Sequence, residues 1–118
     1  MPRPNVSVKI MKLVAPDALK AWIDEGKVMM LLDVREPWEH AIAKLPDSVL
    51  IPLGLLNVQS ERLTGLDKTT PVVAYCHHGM RSQRACAILE SLGFTDVYNL
   101  TGGIDYYSDC VDPTIEKY

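Results

Sequence analysis

Short apolar runs alternate with helix-like segments along the chain. Mainly apolar residues fill positions 28–33, 49–51, 71–75 and 97–100. Runs of this length and composition are typical of strands that are covered on both faces, as in a parallel sheet. Positions 6–10 alternate between apolar and polar residues, which predicts a short edge strand. The pattern therefore predicts five strands.

Helical patterns lie between these apolar runs. Residues 15–25 place their apolar side chains on one helical face, with a proline in the first turn and a glycine directly after the end. The clearest helix covers residues 82–92, where Ser82 is a suitable N-cap and Gly93 follows the last turn. A further helix falls within residues 53–66, without clear ends. Buried strands that alternate with helices predict an α/β fold with a mainly parallel sheet.

Composition and charge narrow the function classes. The 47% hydrophobic and 23% charged residues are ordinary for a globular protein, so we treat residues 1–118 as one domain. The arm at residues 1–5 is expected to be loose, and the C-terminal segment 108–118 irregular. A net charge of -3 leaves no basic excess for nucleic acid. The longest apolar stretch, residues 28–32, is too short to span a bilayer, so no membrane partner is expected.

Three cysteines and no signal-peptide core indicate a cytoplasmic protein without a disulfide framework. Cys86 falls within the predicted helix 82–92 and is interpreted as structural. Cys110 falls in the C-terminal segment and is interpreted as an inert thiol, although it could resolve a persulfide or disulfide at Cys76. Cys76 is the cysteine whose neighbours favour reactivity.

The segment at residues 76–82, Cys-His-His-Gly-Met-Arg-Ser, joins the strand at 71–75 to the clearest helix. Cys76 then faces a helix N-terminus, whose unpaired amides and dipole favour an anion, including the thiolate itself. Arg81 adds a fixed positive charge, and Gly79 allows the loop to curl and bring its amides close to the sulfur. This environment predicts a nucleophilic cysteine.

Three segments resemble the rhodanese family of sulfurtransferases, in the family's order and spacing. Residues 72–82 resemble its active-site loop, residues 31–36 its Asp-Val-Arg segment, and residues 93–105 its last strand and Gly-Gly turn. The resemblance implies a rhodanese-like α/β fold with a central, mainly parallel five-stranded sheet flanked by helices on both faces. It also implies that Cys76 takes a sulfane sulfur from thiosulfate or a persulfide donor and passes it to a thiophilic acceptor, which is cyanide, a thiol or a partner protein.

The resemblance assigns roles to further residues. The substrate-binding loop around the catalytic Cys76 would consist of His77, His78, Gly79, Met80, Arg81 and Ser82. Asp33 and Arg35 would form a charged pair behind that loop, and Glu36 and Glu39 are interpreted as charges at a helix N-terminus. No cofactor is expected, and no metal, because Cys76-His77-His78 lacks a second ligand pair at suitable spacing. Adjacent side chains usually diverge, so His77 and His78 are not expected to face one ligand.

Two departures from familiar patterns bear on the substrate. His77 stands where rhodaneses often have arginine, and histidine is mostly neutral at pH 7, so we expect thiosulfate to be a poorer donor than a persulfide or polysulfide. Four residues separate Cys76 from Arg81, whereas the related cell-cycle phosphatases have five. A phosphatase-like or arsenate-reducing enzyme and a non-catalytic interaction module stay as alternatives. The small surface also favours a sulfur-relay partner that docks near His77 and His78.

Overall fold

The described chain is built on a five-stranded sheet with strand order β1-β5-β4-β2-β3. The computed structural model describes residues 11–63 and 65–118, and every strand pairing within them is parallel. The strands are β1 Lys12–Val14, β2 Met30–Asp33, β3 Val49–Leu50, β4 Val72–Tyr75 and β5 Val97–Leu100. The predicted α/β class and parallel sheet are confirmed.

Four of the predicted strands are present: the strand at 97–100 has the predicted ends, and the other three are shorter by one or two residues. The apolar run at 28–33 becomes β2 only from Met30, because Val28 is 80% exposed and lies outside the sheet. The strand predicted at 6–10 and the loose arm at 1–5 lie outside the described residues. Strand β1 was not predicted, since its three residues carry no distinct alternation.

Four α-helices and two short 3-10 helices complete the described chain. They are α1 Pro16–Asp24, α2 Pro37–Ile42, α3 Met80–Ser91 and α4 Gly103–Cys110, with 3-10 helices at Leu53–Leu55 and Ser60–Leu63. The single helix predicted within 53–66 is therefore wrong. Gly54 and Gly65 lie at or beside these short turns, and glycine weakens a continuous helix.

Two predicted boundaries also need correction. Helix α3 begins at Met80 with Gly79 as its N-cap residue, so Ser82 lies inside the first turn and is not the N-cap. The C-terminal segment is helical through Cys110, and irregular structure begins only at Val111. Helix α4 forms there because Ile104 and Tyr107, one turn apart, are both buried against the sheet.

Helices cover both faces of the sheet. Alternate residues of β4 point to opposite sides, so that Val72 and Ala74 pack in one core and Val73 and Tyr75 in the other. The first core is closed by α3 and the 3-10 helices, through Ala85, Leu89, Leu56 and Leu63. The second is closed by α1 and α4, through Leu19, Ile104 and Tyr107. All four residues of β4 are buried, which explains the continuous apolar run of this strand.

The carboxyl ends of β2, β4 and β5 meet at one edge of the sheet. Asp33 pairs in register with Tyr75, which places the residues after these two strands side by side. Helices α3 and α4 begin at the same edge, after Gly79 and Gly102. Among the described residues, no helix has the length and apolarity needed to cross a membrane.

Candidate active site

The Cys76 sulfur lies in a cradle of hydrogen-bond donors at the carboxyl end of β4. The residue is 1% exposed, the Gly79 N–H donates to Sγ over 3.0 Å, and the Ser82 N–H donates over 3.4 Å. The Ser82 hydroxyl oxygen is 3.3 Å from Sγ. Gly79 has φ of 110°, a value that favours glycine and turns its amide toward the sulfur. Such a cradle favours negative charge on the sulfur.

Ser82 is held in place by Asn99 of β5. The Ser82 hydroxyl donates to Asn99 Oδ1 over 2.5 Å, and Asn99 Nδ2 donates to the Gly79 carbonyl over 3.0 Å. The Asn99 side-chain amide therefore holds in place both residues whose N–H groups bind the sulfur, Gly79 and Ser82. Asn99 was missed in the sequence because it looked like an ordinary residue of an apolar strand.

The start of α4 supports the loop from behind. The Ile104 N–H donates to the Cys76 carbonyl over 2.9 Å, and the Asp105 N–H donates to the His77 carbonyl over 3.1 Å. Gly103 has φ of 68°, and a Cβ at this position would lie 2.2 Å from the His77 oxygen. Only glycine permits this close approach of two backbones.

Arg81 is paired with a carboxylate. Its Nη1 and Nη2 donate to the two Glu39 oxygens over 2.6 and 2.9 Å. These hydrogen bonds hold the pKa of the Glu39 carboxyl at about 2, well below its usual value of 4.5. Glu39 does sit in the first turn of α2, where Glu36 and Glu39 form a capping box. Its second role, as the partner of Arg81, has no local signal in the sequence.

Asp33 and Arg35 form a buried ion pair behind the loop. Arg35 Nε and Nη2 donate to the two Asp33 oxygens over 2.9 and 2.7 Å, and both side chains are fully buried. His40 Nδ1 lies 2.7 Å from Asp33 Oδ2, and the Tyr75 hydroxyl donates to the same oxygen over 3.2 Å. Burial, and then the Asp33 charge, raise the pKa of Tyr75 to about 12, so this hydroxyl keeps its proton.

Tyr118 links the two ion pairs. Its hydroxyl accepts from Arg35 Nη1 over 2.7 Å and donates to Glu39 Oε2 over 2.9 Å. Burial is the main cause that raises the pKa of Tyr118 to about 12. Sequence analysis missed this residue, because the irregular segment after α4 has no pattern that would reveal a long-range contact.

The two adjacent histidines do not diverge, contrary to the expectation. Their rings stack with centroids 4.0 Å apart and planes at 20°. Tyr118 stacks on His77 at 4.1 Å and 11°, so the His77 ring lies between the other two. Both Nε2 atoms face Asp105, at 3.8 Å for His77 and 3.6 Å for His78. Burial, with a further contribution from His78, lowers the pKa of His77 below its ordinary 6.5.

A small open cleft of about 180 Å³ gives access to the loop. It is lined by Cys76, His77, His78, Met80 and Arg81. The structure therefore brings these predicted loop residues together around one opening, with Gly79 and Ser82 supporting the sulfur and the Asp33–Arg35 pair behind. Cys86 is buried in α3, and burial raises the pKa of this thiol to about 12.

Comparison with known proteins identifies the family and the fold. The family model for the rhodanese-like domain matches residues 15–110. The probable adenylyltransferase/sulfurtransferase MoeZ of Mycobacterium tuberculosis is 35% identical over 105 residues, which are 89% of this chain and 26% of MoeZ. The thiosulfate sulfurtransferase GlpE of Pseudomonas syringae is 36% identical over 81% of this chain and 86% of its own length.

Solved structures show the same fold. A rhodanese-like domain protein from Staphylococcus aureus superposes with a TM-score of 0.74 at 29% identity, over 92% of this chain and 99% of that one. The chain spans only about a quarter (26%) of the MoeZ relative, whereas it covers 86% of GlpE and 99% of the Staphylococcus aureus protein. Because the family model accounts for everything from the start of α1 to the end of α4, the chain belongs to the rhodanese-like domain family.

Proposed function

We propose that this chain is a sulfurtransferase that carries a sulfane sulfur as a persulfide on Cys76. The observation that carries the proposal is the buried Cys76 sulfur with the Gly79 and Ser82 amides directed at it. Relatives named as sulfurtransferases support the general class of activity. The cleft over the loop is small, which suits a compact sulfur donor.

The reaction is a double displacement through a covalent intermediate. The Cys76 thiolate attacks the outer sulfur of the donor, a new S–S bond forms, and the donor S–S bond breaks. Sulfite leaves with the bonding electron pair if the donor is thiosulfate, and a thiolate leaves if the donor is a persulfide. A thiophilic acceptor then attacks the outer sulfur and releases the Cys76 thiolate. The cycle balances without a cofactor.

The cradle would stabilise charge at both stages. Backbone amides that are already oriented bind an anion without reorganisation at the moment of reaction. The Gly79 N–H, 3.0 Å from Sγ, and the Ser82 N–H would bind the Cys76 thiolate when it attacks and when it is released. The same loop amides would bind the negative outer sulfur of the persulfide.

We further propose that persulfides or polysulfides are better donors than thiosulfate. The Arg81 guanidinium is already paired with the Glu39 carboxylate. The pKa of His77 is lowered, so its imidazole is neutral near pH 7. The loop thus offers a dianion little uncompensated positive charge.

A carrier protein is the acceptor that best fits the surface around the cleft. Met80 and Trp38 are 76% and 61% exposed, and Trp38 packs on Tyr118 beside the cleft.

Phosphatase-like chemistry has less support. A cysteine phosphatase needs its loop arginine to bind phosphate, and here the two terminal nitrogens of Arg81 are both engaged by Glu39. The loop of four residues between Cys76 and Arg81 also makes a tighter ring of amides. No contact in the described residues favours this alternative.

Intact-protein mass spectrometry tests the proposal. The chain is incubated with thiosulfate or with polysulfide, and then with cyanide. We expect the gain of one sulfur atom, its loss to cyanide, and neither event in Cys76→Ala. Cys110→Ala is the matched control, because Cys110 is an exposed thiol that should not carry the transferable sulfur. Loading that persists in Cys76→Ala, or no loading from either donor, would overturn the proposal.

A further inference from the structure

The geometry points to a binding site for a divalent transition-metal ion, with Zn²⁺ as the best-matched ion, formed by His77, His78 and Asp105. Two imidazole nitrogens and a carboxylate oxygen are a ligand set that zinc commonly accepts, with a fourth position left open to solvent. The inference does not depend on the proposed function, because the three ligands do not include Cys76.

The distances suit an ion between the side chains better than they suit hydrogen bonds. His77 Nε2 is 3.8 Å from Asp105 Oδ1, and His78 Nε2 is 3.6 Å from Asp105 Oδ2. Both are too long for an N–H···O hydrogen bond. Two ligands on one tetrahedral zinc lie about 3.4 Å apart. Since the candidate ligand atoms all lie within 4.8 Å of one another, small side-chain movements would complete the site.

Two of the three ligands are held in place before any ion binds. The His77 ring lies between His78 and Tyr118. The His78 ring, whose side chain is 66% exposed, would turn out of the stack so that its nitrogen points at the same ion. The Asp105 N–H donates to the His77 carbonyl over 3.1 Å, which ties the carboxylate and the imidazole to one rigid junction between the loop and α4. Within the described chain, His77 Nε2 is buried and makes no hydrogen bond. A buried ring nitrogen without a partner gains most from a ligand.

Lys117 is the competitor for this site. Its Nζ lies 2.9 Å from Asp105 Oδ1 and 2.8 Å from Asp109 Oδ1. The ammonium balances the Asp105 charge in the present arrangement, so an incoming ion must displace it. Asp109 remains as a partner for Lys117 after the exchange, which keeps the cost of displacement low. Removing the Lys117 charge should therefore tighten metal binding by about three- to fivefold.

Titration with Zn²⁺ alone tests the inference, in a Cys76→Ala/Cys110→Ala background that removes the candidate catalytic thiol and the exposed one. We expect saturable binding of one ion per chain by calorimetry. Asp105→Asn should weaken binding at least tenfold, as should His78→Ala, whose side chain is 66% exposed and not needed for the core. Asp109→Asn is the matched control, since it removes the other Lys117 partner without removing a ligand. Lys117→Met should bind more tightly than the background.

A second readout locates the ion. We expect the ring-nitrogen resonances of His77 and His78 to shift on Zn²⁺ addition, while those of His40 stay unchanged. Equal affinity in Asp105→Asn and the background would overturn the inference. So would the absence of saturable binding in both the background and Lys117→Met.

Discussion

Among single side chains, Glu39 controls the charge available to the loop. Its carboxylate occupies both terminal nitrogens of Arg81. In Glu39→Gln the guanidinium regains an unpaired charge beside Cys76. We expect the KM for thiosulfate to fall several-fold, with a smaller change for polysulfide, in steady-state assays of both donors. An equal change for both donors would show that the pair does not tune donor charge.

The same carboxylate makes stability depend on pH. The folded-state pKa of Glu39, about 2, lies below its ordinary value of 4.5. The ionised carboxylate therefore stabilises the fold above pH 4.5, and this stabilisation is lost as the pH falls toward 2. Glu39→Gln should lower the free energy of unfolding by about 2 kcal/mol at pH 7 and narrow the difference below pH 4. Urea unfolding at several pH values measures both effects.

His77 is the second side chain that we expect to influence donor preference. Its neutral imidazole is stacked between His78 and Tyr118. An arginine can keep a stacked position while adding a permanent charge. His77→Arg should therefore lower the KM for thiosulfate about tenfold at pH 7.5 and leave the polysulfide KM within twofold. The exposed neighbour gives the control, because His78→Arg should change the thiosulfate KM less.

At the scale of structural elements, the segment after α4 stabilises the site through Tyr118. The hydroxyl bonds to Arg35 and Glu39, and the ring stacks on His77. Tyr118→Phe keeps the ring but leaves the buried Arg35 Nη1 without this acceptor. We expect a loss of about 1.5 kcal/mol in the free energy of unfolding. Tyr106→Phe, at a 47% exposed position on α4, should stay within about 0.5 kcal/mol. Equal losses in the two variants would mean that the hydrogen bonds of the Tyr118 hydroxyl do not stabilise the fold.

The junction between the loop and α4 depends on Gly103. A side chain there would meet the His77 backbone at 2.2 Å, in a conformation with φ of 68°. Gly103→Ala should cost about 3 kcal/mol of stability and slow sulfur loading, because the loop must shift. Gly54→Ala is the control, since a Cβ added at Gly54 would have no atom of another part of the chain within 4 Å and the φ of Gly54 is not in the left-handed region. Thermal denaturation of both variants separates strain from a general effect of adding a methyl group.

For the whole molecule, sequence patterns predicted what depends on neighbours along the chain. The buried run of β4, the following glycine-containing loop and α3 were readable because each has its own periodicity. The side-chain pairs of the site were not readable. Arg81 and Glu39 are 42 residues apart, and Tyr118 and Arg35 are 83 apart, so only the folded sheet brings them together. Tyr118 likewise adds a third ring to the stack of His77 and His78 from a distant part of the sequence.

The completed fold also predicts how the chain responds to sulfur. The carbonyls of Cys76 and His77 are already bound by α4, and the Gly79 and Ser82 amides already face the sulfur. A persulfide should therefore enter a preassembled loop without rearranging the sheet. Hydrogen exchange of the loaded chain should be slower at the amides of Gly79 and Ser82 and unchanged in β2, β4 and β5. Changes spread across those strands would contradict a rigid site, because they would show that the sheet rearranges when the sulfur is loaded.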